Sequence, residues 1–411
     1  MTGIRKLDRV VSTPLLALYG IGNIVGVGIY VLIGQIAAQA GYLAVISFLV
    51  AGAVAFCAAL SYAELATRFP VSAGISMYLQ EAFKSRVVST VVGLLLVGVG
   101  IISTATLLRG FSGYLHMLVP IMPVFVNLTL MTFLTLIAAR GIKQSVIVAA
   151  LLTVLEVGGL LFLIGSVLWS QPSAAVHFSQ QFVQSAHSVG WTAVSGIVAA
   201  SFIAFYAFVG FEDTVNIAEE VQHPRQAYPR ALFVAMAVVA SLYILLAIVV
   251  LGVVPLSQLA NSEAPLALAY QMATGNTANV IIVISLVGTV NGMIVTMTMG
   301  SRFLYGLSRQ GWIPSWFGRL SAQRVPLRSF LLVTAGALVC ALTLPIERSA
   351  QITSLLLLLV FLAANVALVL IRKQSPSDEQ NLTPLYVPWL GMIASATLLI
   401  GQVIAILCDI D

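Results

Sequence analysis

Charge is scarce in this chain, and that scarcity rules out an ordinary soluble fold. Only 8% of the 411 residues are Asp, Glu, Lys or Arg, against about 25% in a typical globular domain. Cysteine is nearly absent too. Cys57, Cys340 and Cys408 all sit in apolar runs, without metal spacing or a disulfide framework, and they read as small buried side chains. The four histidines, His116, His177, His187 and His223, form no HExxH-type pair, and no GxxxxGK[ST] loop occurs. No nucleophile–base set stands out. An enzyme, a bound cofactor, a metal centre and a nucleotide-driven pump are therefore not expected. The short alternating strands of a β-barrel are missing as well.

What fills the chain instead is apolar sequence, 60% hydrophobic with a mean hydropathy of +1.05. Long runs fall at about 12–39, 42–67, 88–113, 118–139, 144–169, 192–220, 231–254, 278–305, 328–346, 350–371 and 387–408. Each is of the length a membrane helix needs. This predicts an all-α, polytopic membrane protein with about eleven spans and a single transporter domain over residues 1–411. The first run is too long for a cleavable signal and belongs to the fold. With the N-terminus in the cytoplasm, only Arg109 and Arg348 of the 19 Lys and Arg residues fall outside. That is a strong positive-inside bias. It accounts for the net charge of +5 without nucleic acid as a partner, and it points to a multi-pass protein of the cell inner membrane in contact with lipid. The uncharged stretch 170–188 reads as an external loop, 264–273 (APLALAYQMA) as an amphipathic external helix, and 372–386 as a cytoplasmic linker.

Two of these runs are interrupted. In GNIVGVGIY (22–30), Gly22, Gly26 and Gly28 crowd a segment that Gly20 also weakens. Glycine is costly inside a helix, and freed backbone in lipid survives only where protein or a water-filled cavity receives it. Helix–helix packing is the alternative use of such glycines. If the segment unwinds, the restarted half-helix presents free N–H groups and a positive dipole end to a carboxylate. The stretch Asn23, Ile24, Val25, Gly26, Val27 and Gly28 is then a substrate site. In SFIAFYAFVGFEDTVNIAEEV (201–221), Gly210 precedes Glu212 and Asp213. Carbonyls of Phe205, Tyr206, Ala207 and Phe208 at this second break suit an ammonium group. Two breaks of opposite polarity suit a zwitterion, although each aromatic here serves packing equally well. The breaks open the first and sixth runs, as two inverted five-helix halves (12–169 and 192–371) with an extra helix (387–408) require.

GNIVGVGIYVLIG (22–34), SYAELATRFPVSAG (61–74), FYAFVGFEDTVNIAEEVQHPRQAYPRAL (205–232) and RFLYGLSRQGWIP (302–314) occur in this order. Together they resemble the amino acid–polyamine–organocation transporters, closest to the cationic amino acid transporter-like branch and its bacterial relatives, over about residues 8–371. The resemblance implies a leucine-transporter-type 5+5 fold with helices 1 and 6 unwound. It also implies a substrate carboxylate on the backbone of Gly26 to Gly28 and an amino group near Phe205 and Phe208. Most relatives have twelve or fourteen helices, more than are expected here.

Glu156 stands alone in VIVAALLTVLEVGGLLFLIG. An ionisable residue at membrane depth is a functional hypothesis by default. Ala149, Thr153, Glu156 and Gly159 share one small, partly polar helical face, suited to packing against the first and eighth helices. Coupling to a proton or a cation such as sodium is the functional reading, and a neutral hydrogen-bonded structural acid is the alternative. In the proton-coupled relatives that the chain resembles, a lysine occupies the corresponding place, so here the charge is reversed. Glu212 either faces substrate or caps the restarted half-helix. In the eighth run, Thr289 and Asn291 are candidates for the ion-coupling face. Glu64 and Arg68 read as an i,i+4 pair. Taken together these features predict a secondary transporter of amino acids. Proton-coupled alternating access is the first reading; amino acid or polyamine exchange and a transporter-like nutrient sensor are the alternatives.

Overall fold

The computed structural model describes residues 11–25, 28–69, 74–139, 146–188, 190–321, 325–374 and 382–408. Its helices run in order as α1 (Thr13–Val25), α2 (Gly28–Ala40), α3 (Ala44–Arg68), α4 (Gly74–Phe83), α5 (Arg86–His116), α6 (Pro123–Ala139), α7 (Val146–Ser170), α8 (Ala174–His187), α9 (Trp191–Ala207), α10 (Pro224–Val253), α11 (Leu256–Ala260), α12 (Pro265–Thr274), α13 (Asn279–Arg309), α14 (Leu327–Thr343), α15 (Ile346–Gln374) and α16 (Tyr386–Cys408). Eight helical stretches among the described residues are long and apolar enough to cross a membrane, and α1, α6 and α14 are shorter apolar helices. The uncharged stretch expected as an external loop is largely the helix α8, and the expected amphipathic segment is α12. Small residues allow α8 to dock: a Cβ on Gly252 would stand 2.3 Å from the Ala174 carbonyl oxygen.

The two interrupted runs behave differently. The first is described as two 13-residue α-helical stretches, α1 and α2, on either side of Gly26 and Val27, which lie outside the described residues. The second ends its α-helix at Ala207 and continues as a 3-10 run over Phe211–Glu220. The expected restarted α-helix is thus wound more tightly. Around these pieces, α5 and α13 cross at small residues. A Cβ on Gly100 would lie 2.9 Å from the Cα of Gly300, and the Thr104 and Thr296 hydroxyls meet at 2.8 Å. Close backbone approach through small residues with a hydroxyl bond is a common solution to helix association in lipid. Opposite them, Phe361 of α15 packs edge-on against Phe205 and Tyr62 and lies 5.0 Å from the Phe211 ring centroid.

A buried ionic hub closes one end of the bundle. Glu64, at the end of α3, accepts from Arg68 at 2.9 and 3.1 Å, as the i,i+4 spacing predicts. It also accepts from Arg372 of α15, from the backbone N–H groups of Leu382 and Thr383 at 3.2 Å, and from the Thr383 hydroxyl at 2.9 Å. The i,i+4 pair is therefore one edge of a knot joining α3, α15 and the approach to α16.

Candidate functional site

The glycine-rich stretch of the first run and the end of the α-helix in the sixth face each other. A Cβ on Gly28 would fall 2.4 Å from the Cα of Ala207, so the start of α2 lies directly on the end of α9. Gly210, at φ +127°, lets the other chain pass in the same way: a Cβ there would lie 2.3 Å from the Asn23 carbonyl oxygen. Only glycine adopts that backbone conformation and tolerates that approach. The C-terminal, negative end of α9 therefore lies against Gly28, the first described residue of α2.

A cavity of about 50 Å³ lies here. Asn23, Ile24, Gly28, Tyr206, Glu212 and Asn291 are among the residues that line it. Asn23 brings a side-chain amide N–H without a partner. The Glu212 carboxylate accepts the Gly210 backbone N–H at 2.9 Å, so it caps the break while still lining the cavity. Asp213 lines it as well, and Val99, Ser103 and Leu107 of α5 with Val295 and Met299 of α13 form part of the wall. The buried Ser103 hydroxyl finds no partner, and the Tyr206 hydroxyl donates to the Ser103 carbonyl at 3.4 Å.

Other expected residues lie off the cavity. Gly26 and Val27 lie outside the described residues. Val25 is fully buried. Phe205 packs on Phe361, and Phe208 on Tyr243. The carbonyls of Phe205 and Tyr206 accept the N–H groups of Phe208 and Val209 at 3.0 and 3.1 Å, so the turn itself uses them. The Ala207 carbonyl faces the Tyr243 hydroxyl at 2.9 Å, which also lies 3.0 Å from the Ile24 carbonyl. Tyr243, on α10, therefore bridges the end of α1 and the end of α9. Nothing in the periodicity of its segment distinguishes it. The α5 wall had a clue in the hydroxyl-rich Ser103-Thr104-Ala105-Thr106 stretch inside an apolar run.

Glu156 lies beside this site and not in its lining. Its helix is pinned on both sides. A Cβ on Gly22 would strike the Thr153 hydroxyl, one turn before Glu156, and a Cβ on Gly159, one turn after, would lie 2.7 Å from Ile284 of α13. The side chain is fully buried, and neither carboxylate oxygen makes a hydrogen bond. The Asn291 amide of α13 is the neighbouring polar group that acts on it. Thr289 is buried with its hydroxyl donated to the Leu286 carbonyl of its own helix at 2.9 Å. A buried polar group left without a partner costs about 1–3 kcal/mol, more when charged, so Glu156 is held at a cost that packing alone does not explain. Among the described residues no group of three or more His, Cys, Asp or Glu side chains is placed to hold a metal ion.

Comparison with known proteins follows the same outline. A family model described as amino acid permease matches residues 12–408. The chain is 27% identical over 402 residues to the branched-chain amino acid permease BcaP of Bacillus subtilis (strain 168), covering 91% of this chain and 83% of that protein. It is 26% identical over 403 residues to the mitochondrial cationic amino acid transporter 3 of Arabidopsis thaliana, covering 91% of this chain but only 64% of the plant protein. A crystal structure of a mutant manganese transporter from Eremococcus coleocola superposes with a TM-score of 0.63 at 16% identity, covering 95% of this chain and 86% of that one. That likeness speaks to the fold alone, an all-α polytopic membrane architecture of the leucine-transporter type.

Proposed function

Because the chain belongs to the amino acid permease family of the amino acid–polyamine–organocation superfamily, we propose that it carries amino acids across the cell inner membrane by alternating access, coupled to protons. In this reading residues 1–411 form one transporter domain with the N-terminus in the cytoplasm. Its two five-helix halves are 12–169 and 192–371, followed by an extra helix at 387–408. The observation that carries the reading is the meeting of the two glycine-bearing segments at one cavity, Gly28 against Ala207 and Gly210 against Asn23.

The polarity of that cavity suits a zwitterion. The substrate carboxylate takes the α2 end, where Gly28, the dipole of α2 and the Asn23 amide supply positive potential and donors. The ammonium group takes the side of Glu212 and Asp213. The apolar wall of Val99, Leu107, Val295 and Met299 receives the side chain. BcaP is named for branched-chain substrates and the plant relative for cationic ones, and this wall together with the two carboxylates accommodates either class.

Glu156 carries the proton in this scheme. It is sealed from solvent at the junction of α1 and α13, where a change of charge alters how the broken helix packs. The test is uptake by purified protein in proteoliposomes, with a panel of radiolabelled amino acids and an imposed pH gradient. Accumulation of at least one amino acid is expected, with Glu156→Gln retaining counterflow but losing pH-driven accumulation. Absence of exchange under every gradient would overturn transport. Full pH-driven accumulation by Glu156→Gln would overturn its role as the proton site.

A further inference from the structure

The turn after α13 gathers charge that no acid answers. Arg309 ends α13, Arg319 follows the 3-10 turn Ser315–Gly318, and Arg328 lies in the first turn of α14. Arg86, at the start of α5, donates to the Gly311 carbonyl of the same turn. Among the described residues the ion pairs printed are those of Glu64 with Arg68 and Arg372 and of Glu81 with Lys84. None of these four arginines therefore has a described carboxylate in ion-pair contact. The turn that carries them is firmly built. The Ser308 hydroxyl donates to the Pro314 carbonyl at 2.8 Å, and the Ser329 hydroxyl to the Phe317 carbonyl at 3.0 Å. Arg309 lies along it, with its Cδ 3.7 Å from where a Cβ on Gly318 would stand. The Arg328 guanidinium stacks 5.1 Å from the Trp316 ring centroid, a cation–π contact. Its Nη1 is buried and has no hydrogen-bond partner. Stacking holds the guanidinium but gives that N–H no lone pair, and native structures leave few buried donors so unsatisfied.

The place of this turn in the bundle says what could answer the charge. It lies at the ends of α5, α13 and α14, all apolar helices of the membrane-crossing kind, with α14 the shorter. Trp316 and Leu320 beside the arginines are 49% and 47% exposed. Tryptophan and arginine at the end of a span mark the level of the lipid headgroups, and basic clusters there attract anionic lipid.

We propose that this turn binds the phosphate of an anionic phospholipid, with Arg309 and Arg328 as its donors and Trp316 and Leu320 set into the acyl boundary beside it. The guanidinium fork matches a phosphate with two parallel N–H···O bonds. In the conformation described Nη1 of Arg328 is turned inward. The phosphate draws it outward past the half-exposed Trp316 ring and supplies the acceptor it lacks. Arg319 adds positive potential, and Arg86 fixes the turn to α5. A headgroup held here ties the end of α13 to those of α5 and α14. Asn291, Val295 and Met299 of α13 line the cavity at the two glycine-bearing segments, so the lipid steadies one wall of that cavity from outside it.

The experiment titrates the delipidated full chain in a neutral detergent with phosphatidylglycerol, phosphatidylcholine or soluble glycerol phosphate. Binding is read by native mass spectrometry and by the shift in unfolding temperature. Phosphatidylglycerol is expected to bind more tightly than phosphatidylcholine and to raise the unfolding temperature, and glycerol phosphate at the same concentration to do neither. Arg309→Gln is expected to weaken phosphatidylglycerol binding roughly fivefold, and Arg309→Gln/Arg328→Gln by about a further fivefold, the effect of one arginine each near an anionic headgroup. Arg225→Gln removes one charge at the start of α10 instead and is expected to leave binding unchanged. Arg309 is exposed, so its single replacement tests the site even where the double variant does not fold. Equal binding of the two lipids, full affinity in Arg309→Gln, or an equal loss in Arg225→Gln would overturn the site. Glycerol phosphate that reproduces the shift would overturn the lipid as its occupant. None of these readouts requires transport, so the inference fails or holds apart from the role given to Glu156.

Discussion

The Cα of Ala207 occupies the space that a side chain on Gly28 needs, 2.4 Å from where its Cβ would stand. The obstacle is backbone, at the end of α9, and cannot rotate away. Gly28→Ala is therefore expected to wedge the two breaks apart, at a stability cost of about 1–3 kcal/mol as for other overpacked interiors, and to abolish amino acid uptake. Thermal unfolding in detergent and counterflow together check this. A variant with wild-type counterflow would mean that the breaks do not need this contact.

Tyr243 offers a milder perturbation of the same junction. Its hydroxyl has one proton and two carbonyl oxygens within reach, Ile24 at 3.0 Å and Ala207 at 2.9 Å. Tyr243→Phe keeps the ring packed between Phe48 and Phe208 and removes only the clasp. With about 1–2 kcal/mol lost from substrate binding, KM for uptake is expected to rise roughly five- to thirty-fold. Kinetics in proteoliposomes measure it, with an unchanged KM as the contrary result.

The end of the α-helix in the sixth run, at Ala207, was legible because glycine and carboxylates in an apolar run leave few physical options in lipid. Of the residues expected at the substrate, Asn23, Ile24, Gly28, Tyr206 and Glu212 line the cavity, and so does Asn291, expected on the ion-coupling face. What sequence could not supply is register across helices. Phe205 and Phe208 sit at the second break yet face Phe361 and Tyr243, because which side of a terminal turn meets a cavity depends on the neighbouring helices. Tyr243 and Ser103 enter the site from α10 and α5, distant in sequence and unmarked by charge. The 3-10 winding of Phe211–Glu220 was equally hidden, since a helical pattern does not reveal how tightly the chain is wound.

Glu64 shows how an expected local pair acquires a long-range role. Its carboxylate is fully buried with two arginines around it, and the Arg372 side chain is only 6% exposed. Removing one partner of a buried pair strands the other and costs about 3–5 kcal/mol, whereas replacing both with apolar groups of similar size is often close to neutral. Glu64→Leu and Arg372→Met are each expected to lower the unfolding temperature more than the triple variant Glu64→Leu/Arg68→Met/Arg372→Met does. A triple variant as unstable as the sum of its singles would show that the side chains act independently.

The last prediction concerns which pieces move together. At the start of α1, the Val11 carbonyl accepts the Gln222 N–H at 2.9 Å, and Val11 and Val221 form a parallel β-bridge. That bridge joins the far ends of the two broken segments. Gly20 of α1 packs against Thr214 and Ala235, and the Tyr228 hydroxyl of α10 donates to the Thr214 carbonyl at 2.8 Å. α1, the 3-10 run and the first turns of α10 are thus joined at three places, while their links to α2 and α9 pass through the breaks. Rigid bodies move about the few backbone positions that absorb rotation, so these elements are expected to swing as one. The check is a disulfide formed by Val11→Cys and Val221→Cys in a chain whose Cys57, Cys340 and Cys408 are replaced by alanine. Transport by the oxidised protein is expected to match that of the reduced protein. If oxidation stops transport and a reductant restores it, α1 must part from the 3-10 run during the cycle, and the bridge opens at every turnover.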